Sequence, residues 1–110
     1  MSVDADWLRG SLQTIILQIV MSRPLYGYEI CKVADRRTNG LFELREGSLY
    51  PALHKLERGG LLASYWEQTD QGRRRKYYQI TPAGLALLQR KQAEWREFSA
   101  AMNAVLGGAT

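Results

Sequence analysis

The side chains able to do chemistry are few. The chain of 110 residues holds one histidine, His54, and one cysteine, Cys31. Structural zinc sites draw four ligands mainly from these two residue types, so no metal centre is expected within one chain. No Ser-His-Asp or Cys-His set can be assembled around a lone imidazole. No glycine-rich loop ending in Lys and Ser or Thr is present to cradle phosphates. Neither an enzyme nor a cofactor is therefore expected. Positive charge is what remains. Residues 71–78, Gln-Gly-Arg-Arg-Arg-Lys-Tyr-Tyr, contain Arg73, Arg74, Arg75 and Lys76 and no acid. The formal net charge is +4, and the other residues hold eleven bases against eleven acids, so the whole excess sits in this tract. The chemistry open to it is reversible binding of a polyanion. A basic tetrad by itself is more often a solvated turn, so the elements that carry it decide.

Length and composition bound those elements. About 100–200 residues make one domain, and 45% hydrophobic residues allow a core, though a small one. No apolar run approaches the roughly 18 residues of a membrane span, and the start from Met1 to Asp6 has no basic segment of the signal-peptide kind. A single cysteine excludes an internal disulfide framework and fits a reducing cytoplasm. These features set aside a large multi-domain enzyme, a transmembrane protein and a secreted disulfide scaffold.

Apolar spacing predicts a first helix from about Trp7 to Met21 through Leu8, Leu12, Ile15, Ile16 and Ile19, capped by Asp4 or Asp6. Gly10 weakens it by roughly 1 kcal/mol relative to Ala unless another backbone comes close there. Arg23-Pro24-Leu25 breaks it. A second helix is expected from Gly27 to about Thr38 on Ile30, Val33 and Ala34, stopped at Asn39-Gly40. Leu41 to Leu44 reads as a connector or short strand. A third helix is expected from near Gly47 to Gly59-Gly60, burying Leu49, Ala52, Leu53 and Leu56, with Pro51 in about the first turn, where its missing N–H costs nothing. From Leu61 the pattern turns to strand: Leu61 to Thr69, a polar turn with Gly72, then Lys76 to Ile80 with Tyr78 and Ile80 on one face. The tetrad sits at the tip and second strand of this hairpin. Thr81-Pro82 opens a last helix to about Leu106, stopped by Gly107-Gly108. Its row of Leu88, Trp95 and Met102, with Phe98 and Val105 offset by three, is longer than a small core covers, so a second copy of the chain is expected to bury it.

Three helices closed by a basic-tipped hairpin form a winged helix-turn-helix: mainly α with a small β-hairpin, α+β. Residues 1–80 form the expected DNA-binding unit and residues 81–110 the dimerisation helix, within one compact body. In such a fold the third helix enters the major groove of double-stranded DNA and the hairpin reaches the backbone or minor groove. The small and polar outer face of the third helix suits a close approach. The expected DNA-binding residues are Ser48, Tyr50, Pro51, His54, Lys55, Arg73, Arg74, Arg75 and Lys76. Lys32, Arg36 and Arg37 stand as further candidates for backbone contact, offset by Glu29 and Asp35. Cys31 reads as a small buried hydrophobe, and Trp7 and Trp66 as core or interface residues.

Four stretches carry a resemblance: Gly27-Tyr28-Glu29-Ile30, Gly47 through Glu57, Gly60-Leu61-Leu62, and Arg75-Lys76-Tyr77-Tyr78-Gln79-Ile80-Thr81. Together they look like the PadR family of bacterial transcriptional regulators, over residues 8 to about 90. The resemblance implies a winged-helix homodimer, usually a repressor, in the cytoplasm on the nucleoid. One helix after the wing resembles the short, LmrR-like branch of that family. There a tryptophan at the place of Trp95 stacks flat aromatic drugs between two protomers. This implies Trp95 as an effector-binding residue for a small planar hydrophobic molecule, while Phe98 and Met102 are bulky enough to fill such a pore. Leu88, Trp95, Phe98, Met102 and Val105 are the expected dimer contacts. A winged-helix protein-interaction module, or a small-molecule-binding protein with no DNA role, remains an alternative, because fold alone does not fix function.

Overall fold

In the computed structural model, which describes residues 3–107, the Asp4 carboxylate accepts a hydrogen bond from the Asp6 N–H at 2.8 Å and starts helix α1, Ala5–Val20. Leu12, Ile16, Leu17, Ile19 and Val20 are buried, and Leu8 and Ile15 of the expected stripe lie half-buried at its edge. Among the described residues, nothing outside its own helix backbone comes within 4 Å of the Cβ position at Gly10, so the close approach considered for it does not occur there. After α1 the chain forms a two-residue strand, β1 (Leu25–Tyr26), too short to leave a periodic signal. Helix α2, Gly27–Arg37, follows directly, and the Glu29 carboxylate accepts from the Tyr26 N–H at 3.2 Å. The chain leaves it through Asn39 and Gly40, both at positive φ, with the Gly40 N–H donating to the Asp35 carbonyl at 2.8 Å. Leu41 to Leu44 is a connector, with Phe42 and Leu44 packed on the core.

Helix α3, Glu46–Arg58, buries Leu49, Leu53 and Leu56. It starts one residue earlier than the pattern suggests, which makes Pro51 its sixth residue and not part of its first turn. Pro51 therefore does remove an intrahelical hydrogen bond, the one to the Gly47 carbonyl. Both residues are exposed, so solvent can serve the freed acceptor.

Strands β2 (Leu62–Gln68) and β3 (Arg74–Ile80) pair antiparallel from Leu62↔Ile80 to Gln68↔Arg74. Their turn closes with the Thr69 N–H on the Arg73 carbonyl at 2.7 Å and Gly72 at positive φ. β3 begins two residues before the expected Lys76, so three of the four bases lie on the strand itself. β1 pairs with the other edge of β3, Leu25↔Tyr78 and Tyr26↔Tyr77, giving the sheet order β1-β3-β2. Leu25, Leu62 and Tyr78 are buried on the inner face.

Helix α4, Pro82–Leu106, is capped by Thr81, whose hydroxyl accepts from the Gly84 N–H at 3.0 Å and donates to the Gly60 carbonyl at 2.6 Å. Only glycine fits at position 84, because a Cβ there would overlap the Leu61 carbonyl oxygen. The first half of α4 packs on α1: the Gln92 amide donates to the Gln18 side-chain oxygen at 2.6 Å, and Leu88 is 0% exposed. Leu88 is thus part of the chain's own core and not a dimer contact, because α1 covers this part of the row. Beyond Ala93 the helix leaves the core and gives the molecule its 54 × 32 × 21 Å shape. Gly107, at φ 77°, ends it, and Gly108, the other half of the expected stop, lies outside the described residues. Among the described residues, no helix is long and apolar enough to cross a membrane.

Candidate nucleic-acid interface

The inward set Leu49, Leu53 and Leu56 turns the opposite face of α3 to solvent, where Ser48, Pro51, His54 and Lys55 are all exposed. Tyr50 lies at the flank. Its ring covers Gly27 so closely that a Cβ there would sit 2.5 Å from the phenol oxygen. Glycine at the start of α2 is what lets the two helices meet. Burial, and then the nearby Glu46 carboxylate, push the Tyr50 pKa upward, so the phenol stays protonated.

On the wing, strand alternation separates neighbouring bases. Arg74 and Lys76 share the face of Tyr78, and Arg75 shares that of Tyr77. The Arg74 guanidinium lies 5.0 Å from the Trp66 ring centroid, and that of Arg75 lies 4.5 Å from the centroid of Tyr26. Tyr26 in turn meets Tyr77 edge-on at 5.6 Å, and Tyr77 stacks on Tyr65 at 5.6 Å. Aromatic faces hold both guanidinium groups by cation–π attraction without neutralising them. Among the described residues, Arg73, Arg74 and Arg75 make no salt bridge.

These two surfaces line one open cleft of about 410 Å³, with Tyr50 and His54 on the α3 side, Trp66, Arg74, Arg75 and Lys76 on the wing side, and Tyr26, Gly27 and Tyr78 between. Its lining contains the cations Arg74, Arg75 and Lys76 and no carboxylate. No group of three or more His, Cys, Asp and Glu able to hold a metal occurs among the described residues. Cys31 is half-buried against the core, and burial, followed by Glu46, pushes its thiol pKa up, the opposite of a reactive thiolate.

Residues 16–90 match the transcriptional regulator PadR-like family. The chain belongs to this family. Transcriptional regulator Rv3488 of Mycobacterium tuberculosis is 42% identical over 103 residues, covering 94% of this chain and 90% of that one. A transcriptional regulator from Clostridium thermocellum is similar in structure, with a TM-score of 0.84 at 36% identity, covering 91% of this chain and 97% of that one. A PadR family transcription regulator from Clostridium difficile R20291 has a TM-score of 0.78 at 37% identity, covering 88% and 99%.

Against this PadR-like frame, the expected site residues divide. Tyr50, His54, Arg74, Arg75 and Lys76 meet around the cleft; Ser48, Pro51 and Lys55 extend the exposed face of α3 beyond it; Arg73 stands on the turn at the tip. Lys76 differs from the other bases. Its ammonium lies 3.2 Å from the Glu57 carboxylate, so it is not a free cation of the wing. Trp66, expected in the core or an interface, is 57% exposed and forms a wall of the cleft. Tyr26 lines the cleft as well. The signal that could have found Trp66 is its register partner, Lys76, which places it across from the basic strand. A smaller groove of about 180 Å³ beside α2 brings together Arg23, Tyr28, Glu29, Lys32 and Arg36, with Lys32 over the Tyr28 ring at 5.6 Å.

Proposed function

We propose that this PadR-like regulator is a homodimeric repressor that binds double-stranded operator DNA with α3 in the major groove and the wing on the adjoining backbone or minor groove. The observation that carries this reading is the acid-free cleft shared by α3 and the wing, with Arg74 and Arg75 held ready by aromatic rings. Ser48, Pro51, His54 and Lys55 face base edges and nearby phosphates, Tyr50 stands at the flank, and Arg73, Arg74 and Arg75 bind phosphates. The distal half of α4 supplies the dimer contact. Trp95, Phe98 and Val105 are 59%, 57% and 83% exposed, an apolar surface that a second copy would cover. Pairing there sets two α3 helices about one DNA turn, roughly 34 Å, apart, and the bound dimer blocks polymerase.

Trp95 and Phe98 form a tilted aromatic pair at 6.0 Å. In a dimer, two such pairs could bracket a small planar aromatic effector. Release then follows only if the effector binds more tightly to the dimer shape that does not fit the operator. The test of the DNA reading is fluorescence polarisation with a duplex carrying the inverted repeat upstream of the gene, beside a random duplex, at two salt concentrations. Tighter binding to the repeat with a steep salt dependence is expected. Equal, salt-insensitive binding to both duplexes would refute it.

A further inference from the structure

The outer half of the wing has little core to rest on. β2 is buried at Leu62 but exposed from Tyr65 to Gln68. A hairpin pair alone is marginally stable, yet the cleft requires the wing to stand at a fixed distance from α3. One side chain bridges that gap. Glu57, next to last in α3, uses both carboxylate oxygens on different strands: Oε2 accepts from the Ser64 hydroxyl of β2, and Oε1 faces the Lys76 ammonium of β3 at 3.2 Å. Lys76 also lies over the Tyr78 ring at 5.4 Å, with Tyr78 itself buried. The side chains of Lys76 and Glu57 are only 27% and 33% exposed, unlike the open bases at the tip. The groups facing Glu57 favour its charged form. The Ser64 hydrogen bond lowers its pKa most, burial opposes, and Lys76 and His54 lower it further. For Lys76, burial is the largest influence and acts downward, but Glu57 and Tyr78 together outweigh it and raise the pKa.

We propose that Glu57 is a positioning residue that braces the wing against the recognition helix through Ser64 and Lys76, and that Lys76 serves as the wing's anchor and not as a phosphate ligand. The binding consequence rests on the DNA reading above; the brace itself does not. The sign of the expected effect is unusual. A carboxylate beside a DNA-binding cleft repels phosphate, so its removal should tighten binding if repulsion were its only effect. A brace predicts the reverse.

The experiment uses the full chain in two arms. In the first, without DNA, amide hydrogen exchange is followed across β2 and β3 in wild type, Glu57→Gln and Ser64→Ala. Exchange in the outer wing is expected to quicken by roughly fivefold in each variant, the size of a lost partly exposed pair, with α1 and α2 unchanged. The charge-swapped double variant Glu57→Lys, Lys76→Glu is expected to recover most of the protection. In the second arm, operator binding is measured against salt. Glu57→Gln is expected to weaken it severalfold. Lys76→Met is expected to weaken it with the salt slope kept, where Arg74→Ala loses about one unit of slope. Unchanged wing exchange, or tighter binding by Glu57→Gln, overturns the brace. A slope loss in Lys76→Met equal to that of Arg74→Ala overturns the anchor role. If wild type binds no duplex, the DNA reading fails, and the exchange arm still decides the brace.

Discussion

The wing and the distal half of α4 both project from one small core, yet they expose opposite chemistry. The wing carries Arg73 and Arg74 in the open and Arg75 half-buried, with Arg74 and Arg75 lodged on aromatic rings, and ties itself back to α3 through Glu57. The last turns of α4 expose Trp95, Phe98, Val105 and Leu106. Exposed guanidinium groups are solvated while they wait for an anion. Exposed apolar rings gain nothing from water, and burial is worth about 25 cal/mol per Å². The wing therefore needs no second chain to present its charge, whereas the apolar end of α4 would be covered only in the proposed dimer. The boundary between covered and uncovered helix falls between Leu88, under α1, and Trp95, two helical turns further on.

The largest expected effects test that boundary. Leu88→Ala should cost about 2–5 kcal/mol of unfolding free energy, measured by urea titration, because it leaves a cavity in the core. Trp95→Asp with Phe98→Asp should leave the protomer folded, halve the mass seen by sedimentation, and weaken operator binding by about 100-fold through lost bivalency. If the double variant unfolds instead, the distal half of α4 is needed for the protomer to fold and is not a separable contact surface. Next in size, replacing His54 or Ser48 by Ala should change sequence preference by about 1–3 kcal/mol for each base edge no longer read. Equal weakening on operator and random DNA would take those residues off the base edges. Arg74→Ala and Arg75→Ala should each weaken binding to all sequences and reduce the salt slope by about one unit. The smallest effect concerns pH. The Glu57 pKa is lower when folded than unfolded, so its contribution is present above the unfolded value and is lost as pH falls through the folded one. Comparing wild type with Glu57→Gln in the acid range should show a gap of no more than about 1 kcal/mol at neutral pH, closing below the ordinary glutamate range. A gap that widens on acidification contradicts the charge assignment.

Much of the fold is legible in residue order because the signals are local. Asp4, and Thr81 before Pro82, cap the helices they are expected to cap, and the hairpin reverses at the expected polar turn around Gly72. The cationic tract is equally plain. What escapes the sequence is long-range. β1 has only two residues and exists because β3 offers it an edge. Leu88 shares a seven-residue row with Trp95 and Met102, and spacing alone does not say how far α1 reaches along that row. By residue type Lys76 matches its arginine neighbours, and only the fold brings Glu57 beside it. Trp66 reads as core or interface because it is large and apolar, while its place beyond the core's edge depends on where β2 outruns α3.

The three tryptophans report on the contrast directly. Trp66 walls the cleft, and Trp7 and Trp95 lie outside it. Indole N–H resonances of the ¹⁵N-labelled protein, recorded while operator duplex is added, read all three together. A saturating shift of the Trp66 signal is expected, lost in Arg74→Ala with Arg75→Ala, while Trp7 and Trp95 hold still. A stationary Trp66 beside a moving Trp95 would contradict it.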